Sequence, residues 1–177
     1  MTSKLRVDSI VPVDGVPTGG GGGIIQVVST TFTGTWSGSS GSGTFDNIDD
    51  LNTSITPKFS TSKIFVMVNI GQWDSSGLNQ RGSIRLVRDS TAICVGDAAS
   101  NRTRSSATTF GANSNTDQGG LNICFMDSPA TTSAVTYKVQ SQTEGSYTTY
   151  INRSASDADS SSVSRSASTM TLMEVSA

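Results

Sequence analysis

Between Leu121 and Gln140 the chain reads LNICFMDSPATTSAVTYKVQ, and in both arms of this stretch side-chain character alternates residue by residue. Leu121, Ile123 and Phe125 share one parity and Asn122, Cys124 and Met126 the other; Val135, Tyr137 and Val139 are likewise set against Thr136, Lys138 and Gln140. A period of two belongs to a pleated strand with one dry and one wet face, and cannot be read as the 3.6-residue period of a helix. Asp127-Ser128-Pro129 lies between the arms. Its proline fixes one φ and removes one donor, and its short polar side chains can bond back to their own backbone, so the two arms are expected to form a hairpin. No segment longer than a turn shows apolar recurrence at i, i+3, i+4 and i+7, so the remaining apolar residues are expected in further strands covering the dry face. The expected fold class is all-β.

Composition narrows this. A chain of 177 residues suits one domain able to bury most of its apolar surface, so neither disulfides nor metal are required for stability. Hydrophobic residues make up 34% and charged residues 15%, the balance being mostly Ser, Thr, Gly and Asn, which suggests thin sheets with hydroxyl-rich outer faces. The net charge of −2 argues against disorder, and 12 Lys plus Arg give no basic footprint for nucleic acid. No apolar run reaches the length of a membrane span and the N-terminus lacks the layout of a secretory signal, so neither a nucleic-acid nor a membrane partner is expected, and synthesis in a cytoplasm is. Cys94 and Cys124 lie in apolar stretches and read as core thiols in a reducing compartment rather than as a disulfide. With no His and no CxxC, no zinc site and no cofactor is expected.

Along the chain, residues 1–23 stand apart. Val11-Pro12-Val13-Asp14-Gly15-Val16-Pro17 admits neither helix nor central strand, and Gly19 to Gly23 form a pivot with little conformational preference. This segment is expected to be an extended docking arm; without a following Lys-Ser or Lys-Thr, the glycines do not make a phosphate loop. Residues 24–177 are expected to form the head domain. Ile24 to Thr35 reads as a strand, and Phe45, Ile48, Leu51 and Ile55 punctuate a segment too irregular to assign. Lys63 to Ile70 is apolar on both parities, which suggests a central strand covered on each face. Ile84 to Arg88 and Thr91 to Val95 flank Asp89-Ser90 as a second hairpin. Ala98 to Gly120 reads as a long exposed excursion, and Tyr147 to Asn152 and Ala167 to Val175 as two more strands. Eight to ten short strands without a fixed repeat suggest a single jelly-roll-like antiparallel β-sandwich. Its modest apolar content suggests association with copies of itself.

Catalytic arrangements find little support. A Ser-His-Asp or Cys-His pair is excluded by the absence of His, and there is no GxSxG. Asp49-Asp50 and Asp157-Ala158-Asp159 bring acids together, but lack the spacing of a calcium loop and read as solvated or capping groups. Binding is the better-supported class, with Trp73, Arg102, Arg104 and Phe110 as the candidate residues. All four fall in polar segments, where aromatics stack on sugars or anchor partners and Arg pairs with carboxylates. For Trp73, as for Trp36, the competing reading is a cap on the sandwich core. The N-x-S/T sequons at Asn52, Asn101 and Asn152 carry no weight in a chain made in a bacterial cytoplasm.

In order, KIFVMVNIG, SIRLVRDSTAI, GDAASNRTRSSA, LNICFMDSPATTSAVTYKVQ and the terminal STMTLMEVSA resemble small tail-fibre-like virion structural proteins of tailed bacteriophages, abundant in marine and cyanobacterial phages. The likeness runs from about Ile25 to the C-terminus. SKLRVDSIVPVDGVPTGGGGGIIQVV also looks like the N-terminal attachment piece of such proteins. The resemblance implies a virion protein assembled in the host cytoplasm, a homotrimer with a jelly-roll-like head. Its arm docks to other virion proteins and its loops meet a host surface glycan or protein. It leaves open an alternative role as a capsid decoration or head-fibre protein, and it carries over no site residues. A glycan-cleaving activity would need an acid pair that the sequence barely offers.

Overall fold

The computed structural model describes residues 23–39, 41, 43–110 and 119–176; all but the last residue of the expected arm lies outside the described residues, as does 111–118 of the expected excursion. The described residues contain eleven strands: β1 (Ile24–Phe32), β2 (Trp36–Gly38), β3 (Asp46–Ile55), β4 (Lys63–Ser75), β5 (Arg81–Arg88), β6 (Thr91–Ile93), β7 (Ala107–Phe110), β8 (Gly119–Asp127), β9 (Val135–Thr143), β10 (Thr149–Ile151) and β11 (Ser168–Val175). They form two sheets. One runs β1-β11-β4, with β8 on the other flank of β4 and β10-β2 attached to its far end; the other runs β3-β9-β5, with β6 and β7 both on β5.

Every pairing is antiparallel, and the long strands nest: β1 pairs β11, β3 pairs β9, β4 pairs β8 and β5 pairs β7. A ribbon of nested antiparallel pairs, wrapped so that successive pairs lie in opposite sheets, is a jelly roll. The all-β, jelly-roll-like sandwich read from the sequence is therefore the observed fold. Its core lies between the sheets, where Ile64, Val66, Val68, Ile70, Met170 and Leu172 of the first sheet meet Ile84, Leu86, Tyr137 and Val139 of the second. The β1 and β3 edges are stitched by side chains: Gln26 Nε2 donates to the Thr56 carbonyl (2.8 Å), Thr30 Oγ1 to the Asn52 carbonyl (3.0 Å) and Thr53 Oγ1 to Thr30 Oγ1 (2.9 Å).

The expected hairpin over Leu121 to Gln140 does not form. Its alternation is correct, with Ile123 on β8 and Val135, Tyr137 and Val139 on β9 all buried, but β8 pairs β4 in the first sheet while β9 pairs β3 and β5 in the second. Residues 128–134 thus cross the sandwich. Two strands that each have one dry face satisfy it equally well by facing each other across a core as by lying side by side. The expected second hairpin does form: Arg88 pairs Thr91 across Asp89-Ser90, with Asp89 at φ 53.

Three further expectations are corrected. Lys63 to Ile70 is central within its sheet, between β11 and β8, but is covered on one face only: Met67 is 39% exposed because it points out of the sandwich. The Ala98 to Gly120 excursion is interrupted by β7, and Ser106 just before it is pinned to β5, its N donating to the Ile84 carbonyl (2.8 Å) and its Oγ accepting from Leu86 N (2.9 Å). Cys124 is exposed on the outer face of β8 rather than in the core; Cys94 is half-buried, and both thiols are free. The segment too irregular to assign is β3, where a register shift between Asn47 and Asn52 includes Asp50 at φ 64. That bulge turns Ile48 and Leu51, three residues apart, toward the same core.

Candidate functional site

The four binding candidates separate in the structure. Trp73 lies inside β4, 1% exposed, with its indole N–H donating to Ser141 Oγ of the opposite sheet at 3.2 Å. A Cβ at Gly82 on β5 would sit 2.2 Å from the indole ring, so the glycine is the notch that admits it. The polar residues around Trp73 misplaced it: β4 continues through Gln72, Asp74 and Ser75, which are themselves buried. Trp73 is thus a core residue and presents no ring to a partner. Trp36 on β2 is half-buried against the same core. Arg102 and Arg104 are exposed, as expected, in the irregular segment after β6. Arg104 Nε donates to the Gly96 carbonyl at 2.7 Å and so helps close its own loop. Phe110 is the last residue of β7, paired with Arg81; its side chain lies outside the described residues.

What the structure assembles beside that loop is a polar groove of about 400 Å3 lined by Arg81, Ser83, Asn101, Thr103, Gln142 and Glu144. Ser83 and Gln142 are cross-strand partners on the outer face of β5 and β9. Asn101 and Thr103 come from the loop carrying Arg102 and Arg104, but from the alternate positions. The charged end is Arg81 and Glu144, 3.5 Å apart and largely exposed. A second depression of about 370 Å3 shares Arg81 and Ser83 and continues to Gly82 of β5 and Thr108 and Thr109 of β7. Sequence reasoning missed Ser83, Asn101, Thr103 and Gln142 because no motif marks them; only cross-strand register and the fold-back of the loop gather them.

Three buried polar clusters hold the frame rather than offering a site. Asp127, at the end of β8, accepts from Arg88 Nη1 (2.9 and 2.7 Å) and from the Tyr137 hydroxyl (2.6 Å), clasping the crossover to both sheets. Burial, and then the hydrogen bond to Asp127, push the Tyr137 phenol well above the ordinary tyrosine range. Burial opposes the Arg88 charge, but the hydrogen bond and the charge of Asp127 outweigh it and raise its pKa. Asn152, fully buried at φ 62, donates to the carbonyls of Phe32 and Gly34 (2.9 Å each) and accepts from Ser168 Oγ (2.7 Å), which ties β1, β10 and β11 together. Glu174 is also buried, accepting from Lys58 N at 2.7 Å and from Gln26 Nε2. Of the acids expected to be solvated, Asp157 is engaged: both its oxygens face Arg165 (2.9 and 2.7 Å), with Arg153 at 3.4 Å, while Asp159 is exposed. Among the described residues no three His, Cys, Asp or Glu side chains gather closely enough to hold a metal ion.

The strand nesting defines the class, a jelly-roll β-sandwich with a polar groove on one sheet's outer face. No protein-family model matches the chain, and no curated protein matches it. Among solved structures it is similar to one from the Gx strain of infectious bursal disease virus, at 11% identity and a TM-score of 0.41, over 100% of this chain and 42% of that one. It is also similar to the VP2 subviral particle of infectious bursal disease virus, at 14% identity and a TM-score of 0.35, over 85% of this chain and 38% of that one. The chain thus spans less than half of either. Scores at this level identify neither a shared role nor a shared family, and the fold assignment rests on the strand pairing itself.

Proposed function

We propose that this chain is a non-enzymatic structural subunit of a virus particle, a tail-fibre or appendage protein that associates with copies of itself and docks through its N-terminal arm. The observation that carries the reading is the outer face of the first sheet. Val27, Met173, Phe65 and Met126 stand in one register row across β1, β11, β4 and β8, with Met67 and Cys124 paired beside them. Val27 is 54% and Met126 44% exposed. Their outward neighbours are Ser29, Thr31, Thr169, Thr171, Asn69 and Asn122, and Lys63 at the corner is the charged residue among these outward-facing positions. Depletion of charge with enrichment of Met and aromatic side chains is the composition of a buried interface core, and natural sheets that stay apart place charges on such faces. The segment resemblance adds the virion setting and the threefold assembly.

Native mass spectrometry of the full chain at micromolar concentration is expected to show a trimer, and a chain beginning at Ile24 to fold but fail to enter particles. Only monomer, or undiminished incorporation of the shortened chain, would contradict the proposal. Cryo-electron microscopy of the particle then places the subunit; density on the capsid faces instead of the tail would reassign it as a decoration protein.

A further inference from the structure

Sulfur is concentrated on one face of this molecule. Of the chain's five methionines and two cysteines, Met67, Met126, Met173 and Cys124 stand on the outer face of the first sheet, while Met170 lies in the core. Met67 and Cys124 are direct register partners on β4 and β8, and the two line one depression of about 230 Å3. Met126 follows Cys124 by two residues on the same face and pairs Phe65, which sets it diagonal to Met67. In such a ladder opposed Cβ atoms lie about 5 Å apart and diagonal ones about 7 to 8 Å. A methionine sulfur hangs two bonds beyond Cβ on an unbranched, freely turning side chain, so both thioethers reach a point beside Cys124 Sγ. All three side chains are exposed, which opens that point to an incoming ion. We propose that this cluster binds a soft monovalent metal ion, copper(I), through the thiolate of Cys124 and the thioethers of Met67 and Met126.

Ligand type and charge select the ion. Thiolate and thioether donors favour copper(I), whereas zinc sites draw on several thiolates, imidazoles or carboxylates. The chain has no His, and the outward-facing positions of β1, β11, β4 and β8 hold no Asp or Glu. One thiolate with one monovalent ion makes a neutral complex, which suits an uncharged face. A divalent ion would leave a positive charge on the face that carries Lys63, with no anion to meet it. Binding releases the thiol proton: Cys124 Sγ–H and Cu(I) give Cys124 Sγ–Cu(I) and H+, with no change of oxidation state. Cys94 is a poor rival, because it is half-buried and burial pushes its thiol up, favouring the protonated form that metals do not take. The inference does not rest on the virion reading. It shares a face with the proposed self-association, but leucine in place of methionine keeps that face apolar while removing the ligand, so the two readings fail separately.

The test is an anaerobic titration of the reduced full chain with copper(I), supplied as its acetonitrile complex and competed against bathocuproine disulfonate. One ion per chain is expected to be withdrawn from the competitor, and X-ray absorption of the loaded protein to show a shell of three sulfurs. Cys124→Ser should abolish this binding. Met67→Leu and Met126→Leu should each weaken it roughly tenfold or more, since even residues that only orient a metal ligand are worth that much. Met173→Leu should leave it unchanged, because Met173 is separated from β8 by β4. Retention in Cys124→Ser would overturn the proposal. So would native affinity in both Met67→Leu and Met126→Leu, which would reduce the site to copper on a bare thiol, or a shell containing oxygen or nitrogen in place of the thioethers.

Discussion

Trp73 is the residue on which sequence and structure disagree most usefully, because its polar neighbours suggested a loop and its environment is the core. Trp73→Ala is expected to cost about 3 to 5 kcal/mol, as for other buried aromatics cut to alanine, whereas Arg104→Ala on the exposed loop should stay within about 0.5 kcal/mol. Paired thermal melts of the two variants check this, and equal melting points would restore the loop reading. Tyr137 supplies a pH dependence. Its folded pKa lies above the ordinary value of 10.0, so the neutral phenol's contribution is fully present below that pH. The unfolded chain ionises there first, and the contribution fades as pH rises toward the folded value. Urea unfolding at successive pH values above 10 should therefore show a steeper loss of stability in the native protein than in Tyr137→Phe. The variant itself should be weaker by about 1 to 3 kcal/mol at neutral pH, having left Asp127 one donor short.

At the scale of elements, β3 shows how a register shift hides a strand from pattern reading. Its bulge places Ile48 and Leu51 on the same side at a spacing of three, which the alternation of a strand does not produce, while Asp50 takes the left-handed backbone within the shifted stretch. Asp50→Val should cost about 1 to 2 kcal/mol through that backbone alone, since a branched side chain resists φ above zero, and Asp50→Gly should cost less. Chemical denaturation of the two variants separates backbone strain from loss of charge, which both share. The loop carrying Arg102 and Arg104 is the complementary case. The sequence marked it as exposed and polar, and it does form one wall of the groove, but through Asn101 and Thr103. Composition can nominate a loop; which of its side chains turn toward the sheet depends on how the loop closes, here through Arg104 and the Gly96 carbonyl.

For the whole molecule, the two outer faces divide the work. The face of β3, β9 and β5 is polar and carries the groove, and the face of β1, β11, β4 and β8 carries an apolar row among uncharged polar side chains. Met67→Glu combined with Met126→Glu is expected to abolish self-association while leaving the β-type circular dichroism spectrum intact, because both side chains point away from the core. An unchanged oligomeric mass by light scattering would remove this face from the assembly. The sequence alone determined the all-β class, the dry parity of most strands and the β5–β6 turn, because alternation and turn chemistry are local and are written in neighbouring residues. Tertiary structure alone decided that β8 and β9 lie in opposite sheets, that Trp73 is enclosed by Gly82 and Ser141, and that Ser83 and Gln142 meet beside Asn101 and Thr103. These depend on which strand pairs with which. A strand with one dry face is compatible with many partners, and only the packing of all of them around one core selects among the pairings.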